Sequence, residues 1–114
     1  MQVSITVAGS STVVAREALV ARTPWQRMRG LLGRPRLVEG QALILSRARR
    51  VHTIGMRYPI DVVFCDDRWT VVAIARDLRP GRISLFVRQA RWAIELPSGA
   101  ARFEEGDGLE VSGL

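Results

Sequence analysis

Residues 60–74 read Ile60-Asp61-Val62-Val63-Phe64-Cys65-Asp66-Asp67-Arg68-Trp69-Thr70-Val71-Val72-Ala73-Ile74. Two β-prone apolar runs flank a short polar segment led by paired aspartates, which is the pattern of a hairpin. Ala42-Leu43-Ile44-Leu45 is a third short run, and Ser84-Leu85-Phe86-Val87 and Arg91-Trp92-Ala93-Ile94-Glu95-Leu96 form a further pair. Pro97-Ser98-Gly99 is a turn that begins a short helical segment through Phe103, and Gly106-Asp107-Gly108 turns the chain into a last alternating strand at 109–112. At the other end, residues 2–7 and 12–18 are rich in Val, Ile and Thr and are split by Ala8-Gly9-Ser10-Ser11, a second hairpin. Between them and residue 42, Thr23-Pro24 supplies a capping residue followed by proline at the first helical position. Trp25, Met28, Leu31 and Leu32 then recur at helical spacing, so a helix is expected over about 24–32, closed by Gly33 and Pro35.

This pattern predicts a mainly β (α+β) fold of seven or more short strands with one or two short helices. Strands so short and numerous curl into a small closed or half-open β-barrel or a sandwich, because closure removes exposed edges. The 114 residues fit one domain spanning 1–114, and no internal repeat or low-complexity segment interrupts them. Apolar residues at 47% and charged residues at 25% match ordinary globular usage and exclude disorder. No stretch reaches the roughly 20 apolar residues of a membrane-spanning helix, and Met1–Val7 has no basic segment leading into an apolar one, so a cytoplasmic location is expected.

The formal charge is +6, and all 17 basic residues are arginine. An arginine surface suits phosphate or carboxylate recognition, nucleic acid included. The plainer reading is a solvated surface, because the arginines are spread along the chain with only local clusters at Arg47, Arg49 and Arg50, at Arg76, Arg79 and Arg82, and at Arg88 and Arg91. Trp69, Trp92 and Tyr58 are candidate base-stacking residues between them. The lone cysteine, Cys65, lies in an apolar run, so it forms no internal disulfide and is expected to be buried and inert.

Chemistry concentrates in Val51-His52-Thr53-Ile54-Gly55-Met56-Arg57-Tyr58-Pro59-Ile60-Asp61, which holds the only histidine and the only tyrosine. Asp61, opening an apolar strand, needs a partner. Either it accepts backbone N–H groups, or it orients His52 as a general acid or base. Glu95, inside another apolar strand, needs one too, and Arg27 or Arg34 from the helical region is the expected ion-pair partner. One imidazole, one thioether at Met56 and one thiol do not make a zinc or copper set, so no metal and no cofactor is expected. The common catalytic signatures are absent from the sequence.

In order, Arg27-Met28-Arg29-Gly30-Leu31-Leu32-Gly33-Arg34, then His52 through Phe64, then Glu95-Leu96-Pro97-Ser98-Gly99 and Gly106-Asp107 resemble the domain of unknown function 192 family (uncharacterised protein family 0127) over about residues 15–112. The resemblance implies a compact β-rich fold found in bacterial and archaeal proteins, some of them exported, and carries no catalytic assignment. The family pattern maps onto Arg27, Gly30, Arg34, His52, Met56, Asp61, Glu95, Gly99 and Asp107, with departures at Leu32-Gly33 and at Ser98. The reading that follows is a binding or accessory domain for a small anionic ligand or a peptide segment, with Arg27, Arg34, His52, Met56, Asp61 and Glu95 as candidate ligand-binding residues. The alternatives are an enzyme using His52 as general acid or base with Asp61, and nucleic-acid binding through an arginine-rich surface.

Overall fold

The strand at the centre of the hairpin, Ile60–Cys65, is buried at every position. Such a strand must be covered on both faces, and the architecture follows from that requirement. The computed structural model describes residues 2–114. Its elements are β1 (Val3–Val7), β2 (Val13–Ala21), α1 (Pro24–Arg29), β3 (Gln41–Ser46), β4 (Ile60–Cys65), β5 (Val71–Leu78), β6 (Trp92–Pro97) and β7 (Leu109–Ser112). The seven strands form one sheet in the order β5-β4-β6-β3-β2-β1-β7. All neighbours are antiparallel except β2 and β3, whose parallel pairing is the one that α1 bridges.

The sheet curls into a half-barrel whose outer strands meet at one end. Val71 N–H donates to the Asp107 carbonyl at 2.8 Å, Gly106 N–H to Val71 at 2.8 Å and Leu109 N–H to Trp69 at 2.9 Å. These bonds occupy backbone groups that an open edge would leave free for another chain. The concave side is filled by Ile5, Ala15, Ile44, Val63, Cys65, Ile94, Leu96 and Phe103, among others. The opposite side carries Leu43, Leu45, Val62, Phe64 and Ala93, covered by Leu31, Leu37, Val51 and Ala90 from the connecting segments. Alternation along each strand assigns successive residues to the two sides.

Three connecting segments therefore form an outer layer: residues 22–38, 47–59 and 79–91. The Ser84–Val87 run, expected as a strand, belongs to this layer instead. Its backbone makes single bonds, Ser84 N–H to the Val51 carbonyl and Val87 N–H to the Arg49 carbonyl, and no ladder. The helix is also shorter than the apolar spacing suggested, because Gly30 leaves helical geometry at φ 51, ψ −124. Residues 98–103 form a turn without a helix. Among the described residues no helix is long and apolar enough to cross a membrane.

Trp69 and Trp92 stack with centroids 4.6 Å apart and pack against the concave core. Cys65 lies on that same side, and its burial, with Asp66 adding, pushes the thiol up to about 12. Such a thiol has almost no nucleophilic thiolate at neutral pH.

Candidate functional site

Asp61 and Glu95 separate at once. In β4, Asp61 alternates with Val63 and Cys65 toward the concave side, whereas Glu95 is paired with Val62 and Leu43 and faces the outer layer. Asp61 is saturated. One carboxylate oxygen accepts from Asp77 N–H at 2.8 Å, and the other accepts from Gly99 and Ala101 N–H, both at 3.0 Å. Asp77 reaches it by adopting φ 51 in β5 and is itself held by the Ser98 hydroxyl, which donates at 2.8 Å. Three backbone donors leave Asp61 no role as an orienter of His52, whose Nδ1 accepts from Ile54 N–H at 3.3 Å instead. The sheet stands between the two residues.

Glu95 has the opposite environment. It is 3% exposed, and its Oε1 has no hydrogen-bond partner. Burial pushes its pKa up to about 7. The expected ion pair does not form, because both candidate arginines are engaged elsewhere. Arg27 Nη1 donates to the Ser46 carbonyl at 3.2 Å, fastening α1 to the end of β3, and Arg34 Nε donates to the Gly30 carbonyl at 3.1 Å.

What Glu95 faces is a concavity of about 340 Å³. Its walls come from residues 27–32 and from the loop at 47–52, with Leu45 and Glu95 on the sheet and Met56 at the side. Local sequence explains the wall. Thr23 and Gln26 form a reciprocal capping box and Pro24 starts the helix, yet no helical residue is buried. Leu31, buried just beyond the helix, anchors the segment. Gly30 opens the floor, for a Cβ there would stand 3.7 Å from Glu95 Oε1.

A neighbouring groove shares Leu31, Leu32 and Met56 with this concavity and adds Arg34, Arg36, Arg57 and Tyr58. Among the described residues, the Tyr58 hydroxyl is the second buried polar side-chain atom without a partner. Its pKa is raised by burial first and by the Glu95 charge second, while Arg36, 5.1 Å over the ring, works the other way. The two unpartnered polar atoms lie in adjoining concavities.

Of the six sequence candidates, Arg27, His52, Met56 and Glu95 line one concavity, Arg34 lies in the adjoining groove, and Asp61 is on the other side of the sheet. Residues with a lesser place in the sequence reading join them: Arg29, Arg47, Arg49, Arg50 and Tyr58. The three outer segments carry thirteen of the seventeen arginines and no aspartate or glutamate. Arginines dispersed along the chain are therefore gathered in space. Among the described residues only Arg79 of that group has a carboxylate within 4 Å, Asp77 at 3.3 Å.

The fold recurs in solved structures. A protein of unknown function from Novosphingobium aromaticivorans DSM 12444 superimposes with a TM-score of 0.81 at 24% identity, over 96% of this chain and 84% of that one. A Sinorhizobium meliloti 1021 protein, described as a candidate transcription regulator, does so with a TM-score of 0.80 at 23% identity, over 99% and 94%. No curated protein matches the chain. The family model of DUF192, an uncharacterized group, matches residues 3–111. With nearly the whole chain matched, the protein belongs to the domain of unknown function 192 family.

Proposed function

We propose that this chain is a binding domain whose concavity over Glu95 takes a small anionic ligand. The observation that carries the reading is the Glu95 Oε1 atom, buried, without a partner and facing a cavity walled by Arg27, Arg29, Arg47, Arg49 and Arg50. A buried polar atom left unpaired costs free energy comparable to a lost hydrogen bond, and a ligand that reaches it recovers that cost. The ligand then needs two ends: a phosphate or carboxylate for the guanidinium forks, and a polar group that hydrogen-bonds the Glu95 carboxyl. Near neutral pH that carboxyl is divided between its acid and carboxylate forms, so the polar group can be donor or acceptor.

A panel of small phosphorylated and carboxylated metabolites, read by thermal stabilisation and by chemical-shift changes, tests the reading. A true occupant raises the melting temperature of the native chain and loses most of its effect in Arg27→Ala and in Glu95→Gln. A panel without a binder, or a binder indifferent to both substitutions, would refute it.

A further inference from the structure

The outer layer has a second property that the concavity does not use. Among the described residues, Trp25, Met28, Val38, Ile54, Ile83, Leu85 and Phe86 are exposed, and all seven lie on the three acid-free segments. Leu85 is 86% exposed and Trp25 66%. The backbone that presents Ile83, Leu85 and Phe86 is bonded to the 49–53 segment. Thr53 N–H donates to the Arg82 carbonyl at 2.8 Å, and Ser84 and Val87 bond back to Val51 and Arg49, while Ser84 turns inward and Ile83, Leu85 and Phe86 turn out. Arg82 and Arg88 flank that stretch, and the Arg50 guanidinium lies 5.6 Å over the Phe86 ring.

We infer that this layer docks the protein peripherally on an anionic membrane surface, with Leu85 and Phe86 entering the acyl boundary and the surrounding arginines meeting lipid phosphates. Ile83, Leu85 and Phe86 are large apolar side chains exposed together on one short stretch, and apolar side chains ringed by arginine are what binding in the interfacial plane of an anionic bilayer requires. Charge decides among occupants. A second copy of the chain would set two arginine layers against each other. Nucleic acid would satisfy the arginines but leaves Ile54, Ile83 and Leu85, which have no π face for a base, without a role. Docking of this kind needs no membrane-spanning element.

The test is flotation with vesicles of mixed phosphatidylglycerol and phosphatidylcholine, and with phosphatidylcholine alone, at low and at physiological salt. The native chain is expected to float with the mixed vesicles and not with phosphatidylcholine. The part of its tryptophan emission that Trp25→Phe removes is expected to shift to the blue on binding. The double variant Leu85→Asp, Phe86→Asp, whose positions are exposed and whose fold is checked by its melting curve, is expected to partition at least about tenfold less, the scale of withholding two large apolar side chains from lipid. Glu95→Gln is expected to float like the native chain, and the double variant to keep native binding in the concavity, which separates this inference from the pocket reading. Absence of flotation at low salt, flotation unchanged in the double variant, or displacement from mixed vesicles by a single-stranded oligonucleotide would overturn it.

Discussion

Asp61 and Glu95 occupy neighbouring strands one position apart in register, with Asp61 opposite Leu96 and Val62 opposite Glu95. Both are acids inside apolar runs and both are buried. A single step in register puts them on opposite sides of the sheet, and everything else follows from that step. Asp61 meets the turns after β6 and the bulged Asp77 of β5, where backbone N–H groups need an acceptor. Glu95 meets a layer in which Arg27 and Arg34 are already bonded to carbonyls, and a cavity. The first acid is consumed by the fold, and the second faces the proposed site.

Substitution costs most at Asp61. Replacing it with alanine leaves three buried N–H groups without an acceptor, each an unmet desolvation cost. Asp61→Ala is expected to lose about 3–5 kcal/mol of unfolding free energy, with Asp61→Asn, which keeps one acceptor oxygen, losing roughly half. Urea denaturation of both variants measures this. A loss under about 1 kcal/mol for alanine would show that the clasp does not hold the turns.

Glu95 responds in the opposite sense. Its folded pKa, about 7, lies above the ordinary carboxylate value of 4.5, so between those two pH values the folded chain holds a proton that the unfolded chain has released. Stability therefore falls as pH rises from about 4.5 to about 7 and stays reduced above that. The penalty at pH 8 is on the order of 3 kcal/mol. Glu95→Gln removes the ionisation and is expected to be more stable than the native chain above pH 7, with the advantage shrinking as pH falls from about 7 to about 4.5. Melting curves of both proteins across pH 4–9 check the sign. A constant difference would mean that Glu95 is paired in solution.

The need of both acids for partners is legible in the sequence, and so is the strand pattern, apart from one segment. What is not legible is the side of the sheet each acid takes, because alternation within a strand gives two faces but only the pairing of β4 with β6 tells which is which. The partners of Asp61 lie 16, 38 and 40 residues away along the chain, and two of them are backbone groups in a turn with no side-chain signature. The arginine partner expected for Glu95 fails for a physical reason: Arg27 and Arg34 satisfy the carbonyls of Ser46 and Gly30 at a short helix with an irregular end. Ser84–Val87 is β-prone in composition, yet its bonds run singly to the 49–51 segment, and Leu85 and Phe86 emerge exposed. The arginine layer is invisible along the chain for a similar reason, since three separated segments build it.

Gly30 links the two halves of the comparison, because it ends the helix and uncovers Glu95. At φ 51 and ψ −124 it occupies a region open to glycine alone, and an added Cβ would face Glu95 Oε1 at 3.7 Å. Gly30→Ala is expected to cost about 1–3 kcal/mol of stability and to weaken pocket binding more than that loss explains. Thermal stabilisation by a panel binder, compared with the native chain at equal fraction folded, separates the two effects. Equal binding would move the entrance of the site away from residue 30.

The smallest effect is expected at His52. It stands exposed on the rim of the concavity, its one bond to Ile54 N–H is long, and Asp61 is out of reach behind the sheet with both oxygens occupied. His52→Ala should change stability by no more than about 0.5 kcal/mol and reduce pocket binding by a few-fold at most, the scale of one exposed contact at a rim. A residue paired with a buried acid for proton transfer would behave otherwise, because its loss would strand the acid and remove a limb from the pH profile of any turnover. A titration of a panel binder against native and His52→Ala protein decides between these behaviours. Abolished binding in that variant, with Glu95→Gln near native, would place the centre of the site on the rim and leave the unpartnered oxygen of Glu95 as a cost of the fold.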